Sequence, residues 1–541
     1  MSFSDDEDDV RGEAAFIGRA KYEGEDTSPT TDRELNGWYA YPIAAEVFAV
    51  VAVGAFLPVL LEQLARENGV FFSDRTKPCV DHSSSGRFRV RADEGQKNAG
   101  DNEQCMVQYL GSEISTSSLA MYTSSFAVLL QALVLICFSS FADYGPYRKK
   151  MLMFTSYAGS LASCLFIFIS PSLYYLAPVL AIIGVTSLGC SFVLMNAFLP
   201  LLVANHPDNN NTARKPFSSD EDMDVEMESL NPANGPSSAH RSDPDKLSRD
   251  LERSAQISSK GVGYGYISAV LVEVFSILII VGFSKTSLSK TSPTLSIRVI
   301  LFVVGLWWAI FSIPTLLWLR PRPGPPLPSQ QHATFTGTKQ TSRLKTFLFY
   351  TSFSLRSFWK TLKKAIRLRQ TLLFLISWFL LSDSVATISG TAVLFARTEL
   401  HMSTIAIALL SITSIGSGII GAFAWPRVQR RYALQPKSVL LCCVAGMEII
   451  PLYGLLGYIP IFQSLSFIGL QQAWEIYPIA VLHGIVMGGI SSYARSVYAP
   501  LIPEGSEAAF FALPGGDYTT SLHLPGSLGR FTGAVVVAVG C

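Results

Sequence analysis

Long apolar stretches recur along the chain, and ten of them have the length of a membrane-spanning helix. About 20 apolar residues are needed to cross a hydrocarbon core about 30 Å thick. The pattern predicts helices at 37–61, 116–141, 150–172, 176–204, 261–284, 297–320, 370–397, 403–425, 437–459 and 475–500. It therefore predicts an all-α polytopic membrane protein.

Polar segments separate these helices into two groups. Residues 1–36 are acidic and are expected to form a disordered N-terminus. Residues 205–260 are acidic and rich in Ser, Pro and Asn, a composition typical of disorder. Residues 321–369 open with PRPGPPLP and continue as a basic, helical linker. Six predicted helices in 37–320 and four in 370–513 therefore indicate the layout of a two-half transporter.

The distribution of basic residues predicts the orientation in the membrane. Loops 142–149 and 426–436 and the linker 321–369 are basic. Three short loops at the opposite helix ends contain no Lys or Arg: 173–175, 398–402 and 460–474. The positive-inside rule then predicts that the N-terminus, 205–260 and the linker are cytosolic, with the long loop 62–115 on the luminal side.

Composition agrees with the membrane assignment. The chain has 541 residues, of which 49% are hydrophobic and 15% are charged, whereas soluble domains carry about 25% charged residues. The net charge of +1 gives no indication of a nucleic-acid partner. Cys79 and Cys105 lie in the loop 62–115 and could form a disulfide if this loop faces an oxidising lumen, although pairing cannot be read from sequence alone.

The loop between the second and third predicted helices reads FADYGPYRKKML. It resembles the signature between helices 2 and 3 of the major facilitator superfamily, with one inserted residue between the Asp and the basic pair. Asp143 could then cap or pair across the cytosolic helix ends, and Arg148 and Lys149 could anchor at the headgroups. The alternative is an ordinary basic loop. The corresponding loop of the second half, GAFAWPRVQRRYAL, has Arg430 and Arg431 but no Asp.

Four motifs, in order from about residue 36 to 513, resemble the autophagy-related protein 22 family. They are NGWYAYPIAAEVFAVVAVGAFLPVLLEQLARENG, SSKGVGYGYISAVLVEVFSILI, FLISWFLLSDSVATISGTAVLF and RSVYAPLIPEGSEAAFFAL. The resemblance implies a two-half helical bundle of the major facilitator type in the fungal vacuolar membrane. It also implies export of amino acids, notably neutral and aliphatic ones, after autophagic breakdown.

Two alternatives to this function remain open at the level of sequence. One is transport of another small solute on the same fold. The other is an autophagy scaffold in the membrane whose segment 205–260 binds cytosolic partners. Catalytic motifs of hydrolases, Walker sequences and zinc-spaced clusters are absent from the sequence, so neither an enzyme nor a bound cofactor is predicted.

Polar residues inside the predicted spans are the candidates for binding substrate or a proton. A charged side chain at a helix centre costs at least about 2.5–3.5 kcal/mol on insertion scales, so such groups usually face a cavity or a partner. The candidates are Glu46, Asp383, Glu273, His483, Asn196 and Tyr41. Glu46 and Asp383 lie on symmetry-related helices and could bind an ammonium group or carry a proton, or each could pair with a neighbouring helix. Tyr41 could instead belong to an interfacial aromatic belt.

The last motif predicts a contact that closes the cytosolic side. Arg495 lies at the cytosolic end of the tenth predicted helix, and Glu507 lies at the start of a short helix that Ser506 could cap, so we expect an Arg495–Glu507 latch. The superfamily resemblance implies two further helices after Leu513. Residues 514–541 are instead polar and broken by Pro and Gly before a short apolar run, and are interpreted as an atypical tail from truncation or a gene-model artefact.

Overall fold

The computed structural model describes residues 25–72, 75, 77–79, 105–109, 111–207, 244–285, 294–325, 343–398, 400, 402, 404–457, 459, 469–502 and 506–513. The predictions for the tail 514–541, for 1–24 and for 208–243 lie outside these residues. The remainder is a helical bundle with a small sheet at one end.

Ten described helices are long and apolar enough to cross a membrane, as the hydropathy pattern predicts. Together with two further helices, α7 and α12, they are numbered in chain order: α1 (Asp32–Glu67), α2 (Thr116–Ala142), α3 (Tyr147–Leu165), α4 (Leu176–Asn196, continued by Leu199–Ala204), α5 (Pro244–Ser284), α6 (Leu295–Trp318), α7 (Arg343–Arg367), α8 (Arg369–Thr398), α9 (Thr404–Arg431), α10 (Pro436–Leu456), α11 (Ile476–Tyr498) and α12 (Glu507–Phe511). Short 3-10 turns lie at Phe166–Phe168, Pro171–Leu173, Ala473–Glu475 and Ala499–Leu501. α7 lies in the linker and α12 is too short to span.

α1 begins at Asp32, earlier than predicted, and the prediction of disorder is wrong for residues 25–36. Thr31 caps the helix by accepting the backbone N–H of Glu34 (3.3 Å). The buried Glu34 carboxylate also accepts two hydrogen bonds from Arg322, each 2.8 Å long. This forked pair ties the start of α1 to the segment after α6, because a planar guanidinium matches a carboxylate with two parallel bonds.

The middle of α1, Phe48–Phe56, is a π-helix between two α-helical sections. It ends just before Pro58, which has no backbone N–H to continue the regular ladder of hydrogen bonds. π-helical sections are rare and are often found at functional sites. The π-section begins two residues after Glu46, so the candidate acid lies at a change in the helix geometry.

α5 starts at Pro244, so the prediction that 205–260 is disordered is wrong for its last 17 residues. Proline at the first position suits a helix start, since its missing N–H would have no partner there. The charged residues of this section are typical of a loop, but in the structure Ala255 and Ile257 are buried against the bundle. Charge is tolerated here because this section lies N-terminal to the apolar run that was predicted to span.

The helices pack as two groups that meet along α5, α9 and α11. One apolar core runs through α1–α6, and a second joins residues of α8, α10 and α11. At the contact between the groups, the ring of Phe423 lies where a side chain on Gly263 would be, and that of Tyr266 lies against Gly418. A glycine at each of these positions leaves room for an aromatic ring of the neighbouring helix.

The opposite end of the bundle carries a three-stranded antiparallel sheet in the order β1 (Val70–Phe71), β2 (Cys105–Tyr109) and β3 (Ser112–Ser115). Cys79 and Cys105 form a disulfide with a Cα–Cα distance of 6.1 Å. The bridge attaches the segment after β1 to the first residue of β2. We call this the disulfide end, and the end where α2 stops and α3 starts the Asp143 end.

Candidate functional site

Three buried charged side chains join the two helix groups at the Asp143 end. Arg148, at the start of α3, donates through Nη2 to Asp143 Oδ1 (3.1 Å) and to Glu507 Oε2 (2.9 Å). Asp143 follows α2, whereas Glu507 begins α12 after the second group of helices. The cluster therefore connects the two halves across 359 residues of sequence.

The Asp143 carboxylate also caps α12. Its Oδ1 accepts the N–H of Ala508 (2.7 Å), and its Oδ2 accepts the N–H of Ala509 (2.9 Å). The first N–H groups of a helix have no partner within the helix, so an acid placed there satisfies them and complements the helix dipole. Ser506, which we expected to cap this helix, makes no side-chain capping bond. The cap comes from the other half of the molecule.

Burial raises the pKa of Asp143 to about 7. The positive charge of Arg148 opposes this shift, the carboxylate of Glu507 adds to it, and the N–H groups of Ala509 and Ala508 oppose it. Asp143 can therefore change its charge near neutral pH while it stays buried.

The segment after α6 holds the Asp143 loop in place. Gly145 has a φ of +47°, a conformation that favours glycine, and it exchanges two backbone hydrogen bonds of 3.0 Å with Gly324 and Pro325. The backbone oxygen of Asp143 occupies the space that a Cβ on Gly324 would need. Lys149, predicted to anchor at headgroups, donates instead to the backbone oxygen of Leu319.

A second contact between the halves lies next to this cluster. Arg495 of α11 donates through Nη1 to Oδ1 of Asn196 in α4 (3.0 Å), and both side chains are buried. Glu507, which the latch hypothesis pairs with Arg495, forms an ion pair with Arg148, and the Arg495–Glu507 latch stays a prediction. Tyr266 of α5 and Ser491 of α11 are also joined through their hydroxyl groups at 3.3 Å.

Glu46 faces the contact between the two halves. Its Cβ and Cγ lie 3.2 and 3.3 Å from the position of a Cβ on Gly265 of α5, and Arg495 acts on it electrostatically. Tyr266 interacts electrostatically with both charges. Within the described part of the chain, the Glu46 carboxylate makes no hydrogen bond or close ion pair. An acid on α1 and a base on α11 thus face a common region between the halves.

The remaining candidates do not join this region. His483 lies between two hydroxyl groups, with Nε2 3.1 Å from Ser389 of α8 and Nδ1 3.0 Å from Ser414 of α9. Asp383, predicted to act together with Glu46, is half-buried and makes no hydrogen bond to any described residue. The structure therefore places these two candidates within the second half.

Glu273 and Tyr41 lie inside the first half. Glu273 is buried, and its Oε2 has no hydrogen-bond partner among the described residues. Tyr41 is fully buried next to Ser156, Ser191 and Trp308, which does not agree with a lipid-facing aromatic belt. Tyr41 therefore packs between α1 and the helices α3, α4 and α6.

Sequence reasoning missed the role of Tyr266 and Ser491, which link α5 to α11 beside Arg495. Neutral hydroxyl residues inside an apolar span give no distinctive signal. The described residues contain no group of three or more His, Cys, Asp or Glu side chains that could hold a metal ion.

Comparison with known proteins identifies the relatives of this chain. A family model described as "Vacuole effluxer Atg22 like" matches residues 30–522. Autophagy-related protein 22-1 of Phaeosphaeria nodorum is 70% identical over 514 residues, which cover 95% of this chain and 87% of that protein. Autophagy-related protein 22 of Botryotinia fuckeliana is 48% identical over 512 residues, covering 91% and 83%.

Solved structures with a similar course of the chain include that of the human organic anion transporter MFSD10. It is 11% identical with a TM-score of 0.49, and the match covers 92% of each chain. FucP, a major facilitator superfamily transporter in the outward conformation, matches with a TM-score of 0.49 at 13% identity over 94% of this chain and 92% of that chain. With its family match over nearly the whole length and a relative at 70% identity, the chain belongs to the Atg22 family of vacuole effluxers and is a transporter.

Proposed function

We propose that this transporter exports neutral amino acids from the vacuole lumen to the cytosol by alternating access. Glu46 is proposed to bind the ammonium group of the substrate and Arg495 its carboxylate. The observation that supports this is the pair of opposite charges on α1 and α11, which face one region between the two halves. A free amino acid carries both charges a short distance apart, so it complements such a pair.

The proposed cycle begins with the conformation seen here. The two halves are joined at the Asp143 end by Asp143, Arg148 and Glu507 and by the Asn196–Arg495 contact. Since the positive-inside rule assigns this end to the cytosol, the conformation is proposed to be the one that loads substrate from the lumen. The location in the vacuolar membrane is likewise proposed, from the family description.

Substrate binding is proposed to weaken the contact between α4 and α11. The Arg495 guanidinium donates to the Asn196 amide oxygen, which is a neutral acceptor. A substrate carboxylate is a stronger acceptor, because charge-assisted hydrogen bonds are roughly twice as strong as neutral ones. Once Arg495 turns to the carboxylate, one link that holds the Asp143 end closed is lost. Proton coupling through Glu46 is a further part of the proposal.

Uptake into proteoliposomes with purified chain tests the substrate assignment. Leucine is expected to be transported, and an excess of unlabelled leucine is expected to compete at least about tenfold better than isocaproate, which lacks the ammonium group, or isoamylamine, which lacks the carboxylate. Glu46→Gln and Arg495→Gln are each expected to lower leucine uptake at least about tenfold, since removing one partner of a buried charge pair costs about 2–5 kcal/mol.

Glu448→Gln is the matched control, because Glu448 lies exposed on α10, away from the contact between the halves. Its uptake is expected to equal that of the unaltered chain. Equal competition by leucine and both analogues would refute recognition of the two charges. Uptake of a sugar or nucleoside without uptake of any amino acid would refute the substrate class, and absence of flux for every solute would favour the scaffold alternative.

A further inference from the structure

The linker helix α7 presents three different faces along its length. One face is turned to the bundle and is buried: Ser354, Phe358, Thr361 and Ala365. A second face is apolar but exposed, with 53% of Leu355, 46% of Trp359 and 52% of Ile366 accessible. At 100° per residue, the members of each face, which recur at spacings of three, four or seven positions, lie on one side of the helix.

The third face is a basic ridge. Five exposed cations follow one another at helical spacing next to the apolar face: Arg356, Lys360, Lys363, Lys364 and Arg367. The Lys363 ammonium lies 5.8 Å from the ring centre of Trp359, at the boundary between the two exposed faces. α7 contains no Asp or Glu that could neutralise the ridge from within the helix.

The position of α7 fixes its level relative to the membrane. α7 ends at Arg367, and the span α8 begins at Arg369, so its C-terminal end lies where the chain enters the bilayer. Near the middle of α7, the ring of Phe353 makes edge contacts with Phe141 (6.1 Å) and Tyr144 (5.7 Å) at the end of α2. These two rings flank Asp143, and α7 also packs against α12.

We propose that α7 lies on the membrane surface at the Asp143 end and binds anionic phospholipid headgroups through its basic ridge. The exposed apolar face enters the boundary between headgroups and acyl chains, as in interfacial amphipathic helices. The ridge contacts the lipid phosphates and carboxylates. A lipid surface fits both exposed faces together, whereas an acidic protein segment would match only the ridge. Because α7 contacts α2 and α12, bound lipid stabilises the elements that carry Asp143 and Glu507.

Native mass spectrometry of the full chain in a neutral detergent tests this proposal without any transport measurement. Dioleoylphosphatidylserine is expected to bind more tightly than dioleoylphosphatidylcholine. A basic residue near an anionic surface contributes about 1 kcal/mol, or about fivefold in affinity. The triple variant Lys360→Gln, Lys363→Gln, Lys364→Gln is therefore expected to bind phosphatidylserine at least about tenfold more weakly, with phosphatidylcholine binding unchanged.

The matched control is Arg427→Gln, Arg430→Gln, Arg431→Gln, which removes three exposed cations at the same end of the bundle. This control is expected to change phosphatidylserine binding less than twofold. Both variants alter exposed side chains, and an unchanged unfolding midpoint verifies that they fold. Equal loss in both variants, or unchanged binding in the α7 variant, would overturn the proposal. So would a strong gain in phosphatidylserine binding when the acidic residues 218–229 are deleted, because it would make that segment the occupant of the ridge.

Discussion

The two loops that occupy corresponding places in the halves have opposite environments. Between α2 and α3, Asp143 and Arg148 are buried, paired and bonded to α12 from the other half. In the last turn of α9, where the second loop begins, Arg430 and Arg431 are exposed, and Arg430 donates to the carbonyl of Pro426 within its own helix at 3.4 Å. Similar basic residues thus form part of the contact between the two halves in one loop and part of an exposed surface in the other.

The difference follows from what each loop faces. α12 begins at Glu507, so its first N–H groups are free to bond with Asp143. α5 is one of the helices that pack against α9, and it runs without interruption from Pro244 to Ser284. Its N–H groups at this level are bonded within the helix, so an acid in the second loop would find no helix start to cap. The missing Asp of the second loop is therefore consistent with the length of α5.

The strongest test of this contrast is Asp143→Ala. It removes the acceptor for Arg148 and for the N–H groups of Ala508 and Ala509, all of which are buried. Losing one member of a buried ion pair costs about 3–5 kcal/mol, and we expect a loss of about 3 kcal/mol because Arg148 keeps Glu507. The unfolding midpoint of the purified chain measures the effect.

Arg430→Gln is the corresponding change in the second loop. Since Arg430 is exposed and bonds only weakly to its own helix, we expect a change within about 0.5 kcal/mol. Equal effects of the two variants would show that the closure does not depend on the buried pair.

A smaller effect is expected from Gly324→Ala, which acts on the Asp143 loop from outside. A methyl group at this position would overlap the backbone oxygen of Asp143, so the loop has to move. Overpacking of this kind costs about 1–3 kcal/mol. The unfolding midpoint is expected to fall by less than in Asp143→Ala.

Gly282→Ala controls for the intrinsic effect of replacing glycine, since nothing lies within 4 Å of its added Cβ. Alanine in a helix is favoured over glycine by about 1 kcal/mol, so this variant is expected to be neutral or slightly more stable. If both glycine variants behave alike, contact between the segment after α6 and Asp143 is not important for stability.

The spans were predictable from the sequence, whereas the partners of the site residues were not. Hydropathy alone predicted the bounds of α2, α4 and α8 to within a residue or two, because a run of about 20 apolar residues is typical of a membrane-spanning helix. The start of α5 was missed because its first 17 residues are mostly polar. A helix outside the membrane needs only one buried face, so a mostly polar sequence can still form one. Asp143 was identified from its motif, but its bond to Ala508 spans 365 positions and leaves no local pattern.

The burial of Tyr41 and of the nearby Trp38 could not be predicted from the sequence. Trp38 and Tyr41 stand at the predicted start of a span, where the aromatic belt is the usual interpretation. In the structure both are fully buried, and Trp38 Nε1 donates to the backbone oxygen of Met195 (3.1 Å). Their burial follows from the earlier start of α1 at Asp32, which shifts both residues into the interior of the bundle.

A pH dependence that belongs to the first loop alone is also expected. Burial raises the pKa of Asp143 to about 7, so the folded chain holds this proton more tightly than the unfolded chain, whose carboxyl has its ordinary pKa of 3.8. The stability from this proton is complete below the unfolded pKa and is lost as the pH rises through 7. Between pH 6 and 8 the loss amounts to about 1.4 kcal/mol. Asp143→Asn cannot titrate and is expected to remove this part of the pH profile, whereas Arg430→Gln is expected to keep it. A profile with the same slope in Asp143→Asn would assign the titration to another group.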